Sequence, residues 1–262
     1  MKSALLEDKT AVVVGVGPGL GREVSAALLD AGARVVIADH SAGRLAASAQ
    51  ALDATGTRVL AMPADIADDE SCQALVGAAL DHFGSIDAVV IVGAYQEAFG
   101  GLFDSELSMW HKSFDTNVVG ALRLLRAAVP AMKTAGGGSV VLIGAQAASK
   151  PSLPQAGYAA SKGALLTTMY YLADELGPDN IRVNAVVPSW MWGPNVQMFV
   201  DYRAKSEGKT RQDIVDEITA TFALRRMAED GEVADAIAFF CSEMSRAITG
   251  QHLMVNCGEM SR

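Results

Sequence analysis

Val14 to Gly21 reads V-G-V-G-P-G-L-G, directly after the apolar run Ala11 to Val13. Beyond it, Gly19 to Ala31 carries a helical apolar pattern, so the segment reads as strand, tight turn and helix. Glycines in such a turn let the backbone approach a ligand closely, and the helix start offers free N–H groups and the positive end of its dipole. The ligand chemistry this suits is the pyrophosphate of a dinucleotide, with Gly15, Pro18, Gly19, Leu20 and Gly21 lining it. Alone the pattern is weak, because Gly-rich turns also simply join strands to helices. A second feature lies at Asp39, 24 residues after Gly15, where a carboxylate ending the second strand can accept hydrogen bonds from an adenosine ribose, with His40 beside it. A 2′-phosphate there would meet like charge, and no Arg or Lys stands at residues 14–19 or immediately after Asp39 to offset it. NAD is therefore expected and NADP disfavoured; the other reading of Asp39 is a helix cap ahead of Ser41.

Working outward, short β-branched runs alternate with longer helical stretches almost from end to end. Strands are predicted at Ala11–Val16, Arg34–Asp39, Arg58–Met62, Ile86–Val92, Ser139–Gly144, Ile181–Val187 and His252–Asn256. Helices are predicted at Gly19–Ala31, Ser41–Ala54, Asp69–Phe83, Ser105–Thr134, Tyr158–Leu176 and Gly231–Cys241. Nearly continuous Val/Ile runs suit parallel strands covered on both faces. The expectation is one α/β domain over residues 1–262, a Rossmann-type doubly wound sheet of seven parallel strands. Residues 188–222 escape the alternation. They are apolar first (Trp190, Met191, Trp192, Met198, Phe199), charged later, and follow a strand's carboxyl end, so a substrate lid is expected there, the other reading being a surface excursion that packs its own aromatics.

Composition narrows the functions. Of 262 residues 50% are hydrophobic, enough for a core without disulfide or metal staples. Twenty-one Lys and Arg against 30 Asp and Glu give a net charge of −9, which argues against nucleic acid and anionic membranes as partners. Cys72, Cys241 and Cys257 share no metal-type spacing, and the four His are dispersed, so no metal is expected. No leader is evident at Met1–Asp8 and no apolar run reaches membrane-spanning length, so a cytoplasmic setting is expected. Asp68-Asp69-Glu70 reads as a helix start, and Cys241 and Cys257 as small buried hydrophobes.

The second chemical signal is Y-A-A-S-K at 158–162, opening a helix. Residues four apart share a helix face, so the Tyr158 phenol and the Lys162 ammonium can address one ligand. A phenol titrates near 10, and a nearby cation favours its phenolate, which brings it into range as a general acid/base. An amphipathic helix start with an exposed lysine would look the same in isolation.

Taken together, these marks resemble the short-chain dehydrogenase/reductase family over essentially the whole chain. The resemblance is carried by G-V-G-P-G-L-G at 15–21, Asp65-Ile66 after the third strand, Asn117 in D-T-N-V-V-G, Y-A-A-S-K at 158–162 and R-V-N-A-V-V-P at 182–188. It implies an NAD(P)-linked alcohol–ketone interconversion and a homotetramer. It further implies that Tyr158 is the acid/base, that Lys162 lowers its pKa and binds the nicotinamide ribose, and that Asn117 holds a relay water. Asp65 and Ile66 would bracket the adenine, and Gly93-Ala94 and Pro188 to Met191 would lie along the nicotinamide half. Apart from this carry-over, Tyr95, Gln146, Trp190 and Trp192 are candidate substrate contacts; Trp190, Met191, Trp192, Met198 and Phe199 in the expected lid, with Tyr95 and Phe99 after the fourth strand and no cluster of basic residues in either region, point to an apolar small-molecule alcohol or ketone.

The chain departs from the family at several places. Val14 replaces the usual Thr, I-V-G-A at 91–94 stands for N-N-A-G, and Ser189 follows Pro188 where glycine is typical. The main departure is thirteen residues before Tyr158. The family has a serine there whose hydroxyl polarises the substrate oxygen, whereas this chain has Ala145, preceded by Gly144. Removing a comparable donor costs on the order of 100- to 1,000-fold in rate. Three readings follow: another donor such as Gln146, Ser149, Tyr95 or Ser189 replaces it, the substrate needs less polarisation, or the protein binds NAD without turnover as a sensor or scaffold.

Overall fold

Residues 5–53 and 55–259 are described by a computed structural model. The first four residues, the expected helix end at Ala54 and residues 260–262 lie outside the described residues. Seven strands form one sheet: β1 (Thr10–Val14), β2 (Arg34–Asp39), β3 (Val59–Pro63), β4 (Ala88–Ile91), β5 (Gly138–Ile143), β6 (Ile181–Pro188) and β7 (His252–Val255). Their order is β3-β2-β1-β4-β5-β6-β7 and each neighbouring pair is parallel. Parallel neighbours need crossovers, supplied by α1 (Leu20–Asp30), α2 (Ala42–Leu52), α3 (Asp69–Phe83), α4 (Leu107–Phe114), α5 (Gly120–Thr134), α6 (Ala156–Leu176), α7 (Pro194–Glu207), α8 (Arg211–Thr219) and α9 (Asp230–Cys241). The expected doubly wound seven-stranded fold is what the chain adopts.

Residues of β1 are all buried, yet they divide strictly between the two faces. Val12 and Val14 join the core under α3, α5 and α6, with Leu75, Leu124, Leu165 and Met169. Ala11 and Val13 join the core under α1 and α9, with Val24, Leu28, Val233 and Ile237. A strand buried on both faces shows no polar alternation, which is why this run reads as continuously apolar. Asp68 caps α3 as expected, its carboxylate accepting from the amides of Glu70 and Ser71. Cys241 is buried, but Cys257 is only half-buried and sits at φ 52°, against the expectation for it.

Two elements differ in kind from the sequence expectation. The single helix expected over Ser105–Thr134 is α4 and α5 joined by a π turn at Asp115–Val119, which adds a residue to the ladder without breaking it. The segment expected as a lid is two helices, α7 and α8, after a β6 that extends to Pro188. They enclose a small core of their own, Val200, Ala204 and Ile214, backed by Trp192, Val196, Val215 and Ile218. Outside it, Arg203 and Lys209 pair with Glu207 and Glu217. No helix among the described residues is long and apolar enough to cross a membrane.

Because this small core is separate from the two that hold the sheet, Ile214→Ala should loosen the excursion selectively. Truncation of a buried Ile costs about 2–5 kcal/mol. Hydrogen exchange should accelerate across residues 194–219 while protection of the strands stays as in the wild type; uniform loss of protection would show that the helix pair does not open independently.

Candidate active site

The strand order reverses between β1 and β4, and a crevice opens at their carboxyl ends. Gly15 leaves β1 at φ 91°, and any Cβ on it would overlap the Gly93 backbone; a Cβ on Gly21 would strike the Gly15 carbonyl. Gly17 has nothing within 4 Å, so the turn is tight on the sheet side and open on the other. Helix α1 starts behind Gly19 with no side chain capping it. Its first amides are left for an anion, as a dinucleotide pyrophosphate requires. Pro18 lines a cavity of about 380 Å³ here, with Arg22, Trp192, Gly193 and Asp230 among its walls. Asp230 is a half-buried carboxylate whose Oδ1 is buried without a partner, and burial pushes its pKa up.

At the end of β2 the Asp39 carboxylate is 5% exposed, and its Oδ1 accepts from the Ser41 amide at 2.7 Å and from Arg44 Nη2 at 2.8 Å. His40 Nδ1 stands 3.7 Å away. Asp39 thus caps the turn into α2, the second of its two expected readings. Arg44 is a residue the sequence reading missed. It lies five positions on, and the start of α2 folds it back against Asp39. The charge argument against a 2′-phosphate therefore weakens. Asp65 is exposed on the loop after β3, where its carboxylate accepts from the Ala67 amide, and buried Ile66 packs against Gly120.

Beyond β4 come Gly93, Ala94 and Tyr95. The buried Asn117, inside the π turn, grips Tyr95 at both ends: the Tyr95 amide donates to Asn117 Oδ1 at 2.7 Å and Asn117 Nδ2 donates to the Tyr95 carbonyl at 3.0 Å. The same Nδ2 donates to Ser161 Oγ at 2.8 Å, and that hydroxyl donates to the Tyr158 carbonyl at 2.7 Å. One side chain thus joins the loop after β4 to the first turn of α6.

Tyr158 and Lys162 lie one turn apart on α6, and both are buried. Lys162 Nζ donates to the Ile143 carbonyl at 2.7 Å, where β5 ends, and lies 5.8 Å from the centre of the Tyr158 ring. Burial pushes the phenol's pKa well above its ordinary value, opposed by a hydrogen bond with the Gln96 side chain. Burial also lowers Lys162 to about 8. Gln96 is a second residue absent from the sequence reading, which stopped at Tyr95.

The four candidate substrate residues sit differently. Tyr95 lies under the Lys112 ammonium, 4.6 Å from its ring centre. Gln146 is buried and turned away to the chain's end: its Nε2 donates to the Glu259 carbonyl at 3.0 Å and its Oε1 accepts from Asn256. Trp190 packs on Phe199 with ring centres 5.4 Å apart, and Trp192 carries Arg211 over its ring at 5.6 Å. Pro188 is buried at the end of β6, and Met191 bridges to Ala228.

The family model described as enoyl-(acyl carrier protein) reductase matches residues 15–259. The chain belongs to the short-chain dehydrogenase/reductase family. Among relatives of that family, dehydrogenase/reductase SDR family member 4 of Homo sapiens is 32% identical over 257 residues, 98% of this chain and 89% of its own. L-rhamnose 1-dehydrogenase (NAD(P)(+)) of Azotobacter vinelandii is 32% identical over 259 residues, 97% of each chain. The structure of L-sorbose reductase from Gluconobacter frateurii, complexed with NADPH and L-sorbose, superposes with a TM-score of 0.92 at 26% identity, covering 100% of both chains. Oxidoreductase chemistry on small molecules is the common property of such relatives, and it agrees with the short-chain dehydrogenase/reductase marks on α6.

Burial of the Lys162 ammonium has a measurable cost. Its pKa of about 8 in the fold lies below the ordinary lysine value of 10.5, so folding disfavours the charged form. That cost is fully present below pH 8 and is relieved as the pH rises toward 10.5. Lys162→Met should therefore resist urea better than the wild type at pH 7, by on the order of 3 kcal/mol. The gap should narrow between pH 8 and 10.5. Equal stability at pH 7 would contradict a desolvated ammonium at this position.

Proposed function

We propose that the protein is an NAD(H)-dependent oxidoreductase that interconverts a secondary alcohol and a ketone. The observation that carries this reading is the pairing of a buried phenol and a buried ammonium one turn apart on α6, joined through Asn117 to the glycine-lined crevice. Gly15, Pro18, Gly19, Leu20 and Gly21 would hold the pyrophosphate, Asp39 and His40 the adenosine ribose, and Asp65 and Ile66 the adenine. Gly93, Ala94, Pro188 and Met191 would flank the nicotinamide, with Lys162 on its ribose. A bound nicotinamide supplies the hydride acceptor or donor.

Tyr158, kept protonated by its burial, gives its proton to a carbonyl oxygen during reduction and takes it back during oxidation. Lys162 stabilises the phenolate left behind. Both N–H bonds of Asn117 are committed, to Tyr95 and Ser161, so a relay water would be held by backbone of the π turn rather than by this amide. Trp190, Trp192 and Phe199 support an apolar substrate, as does the absence of a basic cluster in the described residues that follow β4 or enter α7. The relatives named for L-rhamnose and L-sorbose make sugars the comparison to include. The exposed Phe114 and Val119 on one side, and Tyr171, Leu253 and Met254 on the other, support assembly of copies into a homotetramer.

The test is NADH oxidation against ketones from small aliphatic to steroid-like, with ketose sugars, NADPH and Tyr158→Phe in parallel. Turnover with NADH should fall at least 100-fold in Tyr158→Phe while NADH binding persists. Tight NADH binding without turnover on any ketone would point instead to a cofactor-binding protein. Arg44 gives a second expectation. NADPH should be used more weakly than NADH, and Arg44→Ala should raise the KM for NADPH by about tenfold, equivalent to about 1.4 kcal/mol, with the KM for NADH unchanged.

A further inference from the structure

Helix α9 is capped without the help of Asp230, its first residue. Glu229 and Glu232 form the capping box, each side chain accepting from the other's backbone amide. The Asp230 carboxyl instead lies between the starts of two other helices. A Cβ on Gly193, before α7, would meet its two oxygens at 2.7 and 2.9 Å, and a Cβ on Gly19, before α1, would come within 3.5 Å of Oδ2. Gly193 is followed by Pro194, which has no N–H to offer. Arg22, on the same cavity wall, pairs with Glu23 at 3.5 Å. Asp230 Oδ1 is left buried with no partner. Pro18 and Asp230 line one cavity of about 380 Å³, so the glycine-rich turn and this carboxyl share a single space. A pyrophosphate held by the turn brings its negative charge into that space. An ionised carboxylate there repels it, whereas a neutral carboxyl has an O–H to donate.

We infer, resting on the dinucleotide reading above, that Asp230 is a further group of the cofactor site: its neutral carboxyl donates a hydrogen bond to the pyrophosphate, and cofactor binding takes up a proton. Burial, then Glu23 of α1 and Glu229 beside it, push the Asp230 pKa up, and Arg22 opposes them. Helix α7 brings Gly193, Pro194 and Gln197 to this wall, none of which titrates. The carboxyl therefore titrates above the usual carboxylate range, and a bound pyrophosphate raises it further by favouring the neutral form. Affinity is highest at acid pH and falls as the pH rises through the raised pKa. A pyrophosphate esterified at both ends stays ionised throughout, so the change belongs to the protein.

The experiment is calorimetry with ADP-ribose, which carries the pyrophosphate and no nicotinamide, on the wild type, Asp230→Asn and Asp230→Leu. It runs from about pH 5 to about pH 8, above the ordinary carboxylate range. Wild-type affinity should fall by about tenfold as the pH rises, the worth of one hydrogen bond to a charged group. Within that fall, binding should take up protons, seen as a heat that changes with the ionisation enthalpy of the buffer. Asn keeps an N–H donor that does not titrate, so Asp230→Asn should hold close to the wild type's acid affinity throughout. Leu removes the donor, so Asp230→Leu should bind about tenfold more weakly at acid pH and show no slope. A purely structural role for Asp230 would shift affinity in the variants without giving the wild type a slope.

Wild-type affinity that is flat across the range, or a slope that survives in Asp230→Asn, overturns the proposal and leaves the dinucleotide reading standing. Affinity that rises with pH once magnesium is added would mark a cation shared between an ionised carboxylate and the pyrophosphate, and overturns it as well. If the wild type binds neither ADP-ribose nor NAD at any pH, the dinucleotide reading fails and the role of Asp230 falls with it.

Discussion

The backbones of Gly15 and Gly93 touch where β1 and β4 end, with no side chain between them. Both strands are central, and the connections on their two sides run in opposite directions along the sheet. Helices diverge from that point and leave a crevice, which only a side chain at its base would block. The contact also fixes how closely α1 approaches, because Gly21 packs on the Gly15 carbonyl from the helix side. A turn built this way presents amide groups to a ligand at its open edge, and binding of an anion there does not require a basic side chain. That is how a chain of net charge −9 can carry an anion-binding crevice.

The second constraint is Asn117, which ties three elements with one amide. A π turn adds one residue to a helical ladder, and at 3.6 residues per turn each residue turns the helix by about 100°. The extra residue lets Asn117 face Tyr95 and Ser161 while α5 continues with Leu124, Leu125 and Ala128 on the sheet. Buried hydrogen bonds contribute only about 0.5–1.5 kcal/mol each, but leaving a buried amide unpaired would cost more. The arrangement is accordingly all or none. Its consequence for chemistry is that the loop bearing Tyr95 and Gln96 cannot drift relative to the helix bearing Tyr158.

Most of this fold is legible in the sequence, because the strands are compact Val/Ile runs and the crossover helices have clear apolar faces. Strand ends differ from the expected bounds by at most two residues; at Gly15 the positive φ ends β1 at Val14 rather than Val16. The π turn is not legible, since the five residues Asp115–Val119 are too few for a change of helical period to show in the pattern. The two helices within residues 188–222 are not legible as separate elements, because their apolar residues serve a small private core and part of a crevice wall at once. Motif marks Asn117 and Tyr158, which the structure joins through Ser161, but nothing marks Arg44 or Gln96. Each reaches its partner through a fold of the chain, one around the start of α2 and the other from the loop after β4 to α6, and such reach has no signature in spacing.

Electrostatics gives the pairing on α6 its direction. Burial raises the phenol's pKa and lowers that of the ammonium, so both groups are strained toward their neutral forms. Lys162 is met by the Ile143 carbonyl and the Tyr158 ring rather than by a carboxylate. When Tyr158 gives up its proton, an anion appears on a ring whose centre lies 5.8 Å from that cation, and unit charges about 6 Å apart attract by roughly 3 kcal/mol at an effective dielectric of 20. The attraction is absent before proton transfer and present after it. Holding a lone ammonium in the core therefore raises the resting state and leaves the state that follows proton transfer compensated, which is the sense of bias a general acid requires. A carboxylate beside Lys162 would stabilise the fold more and remove that bias.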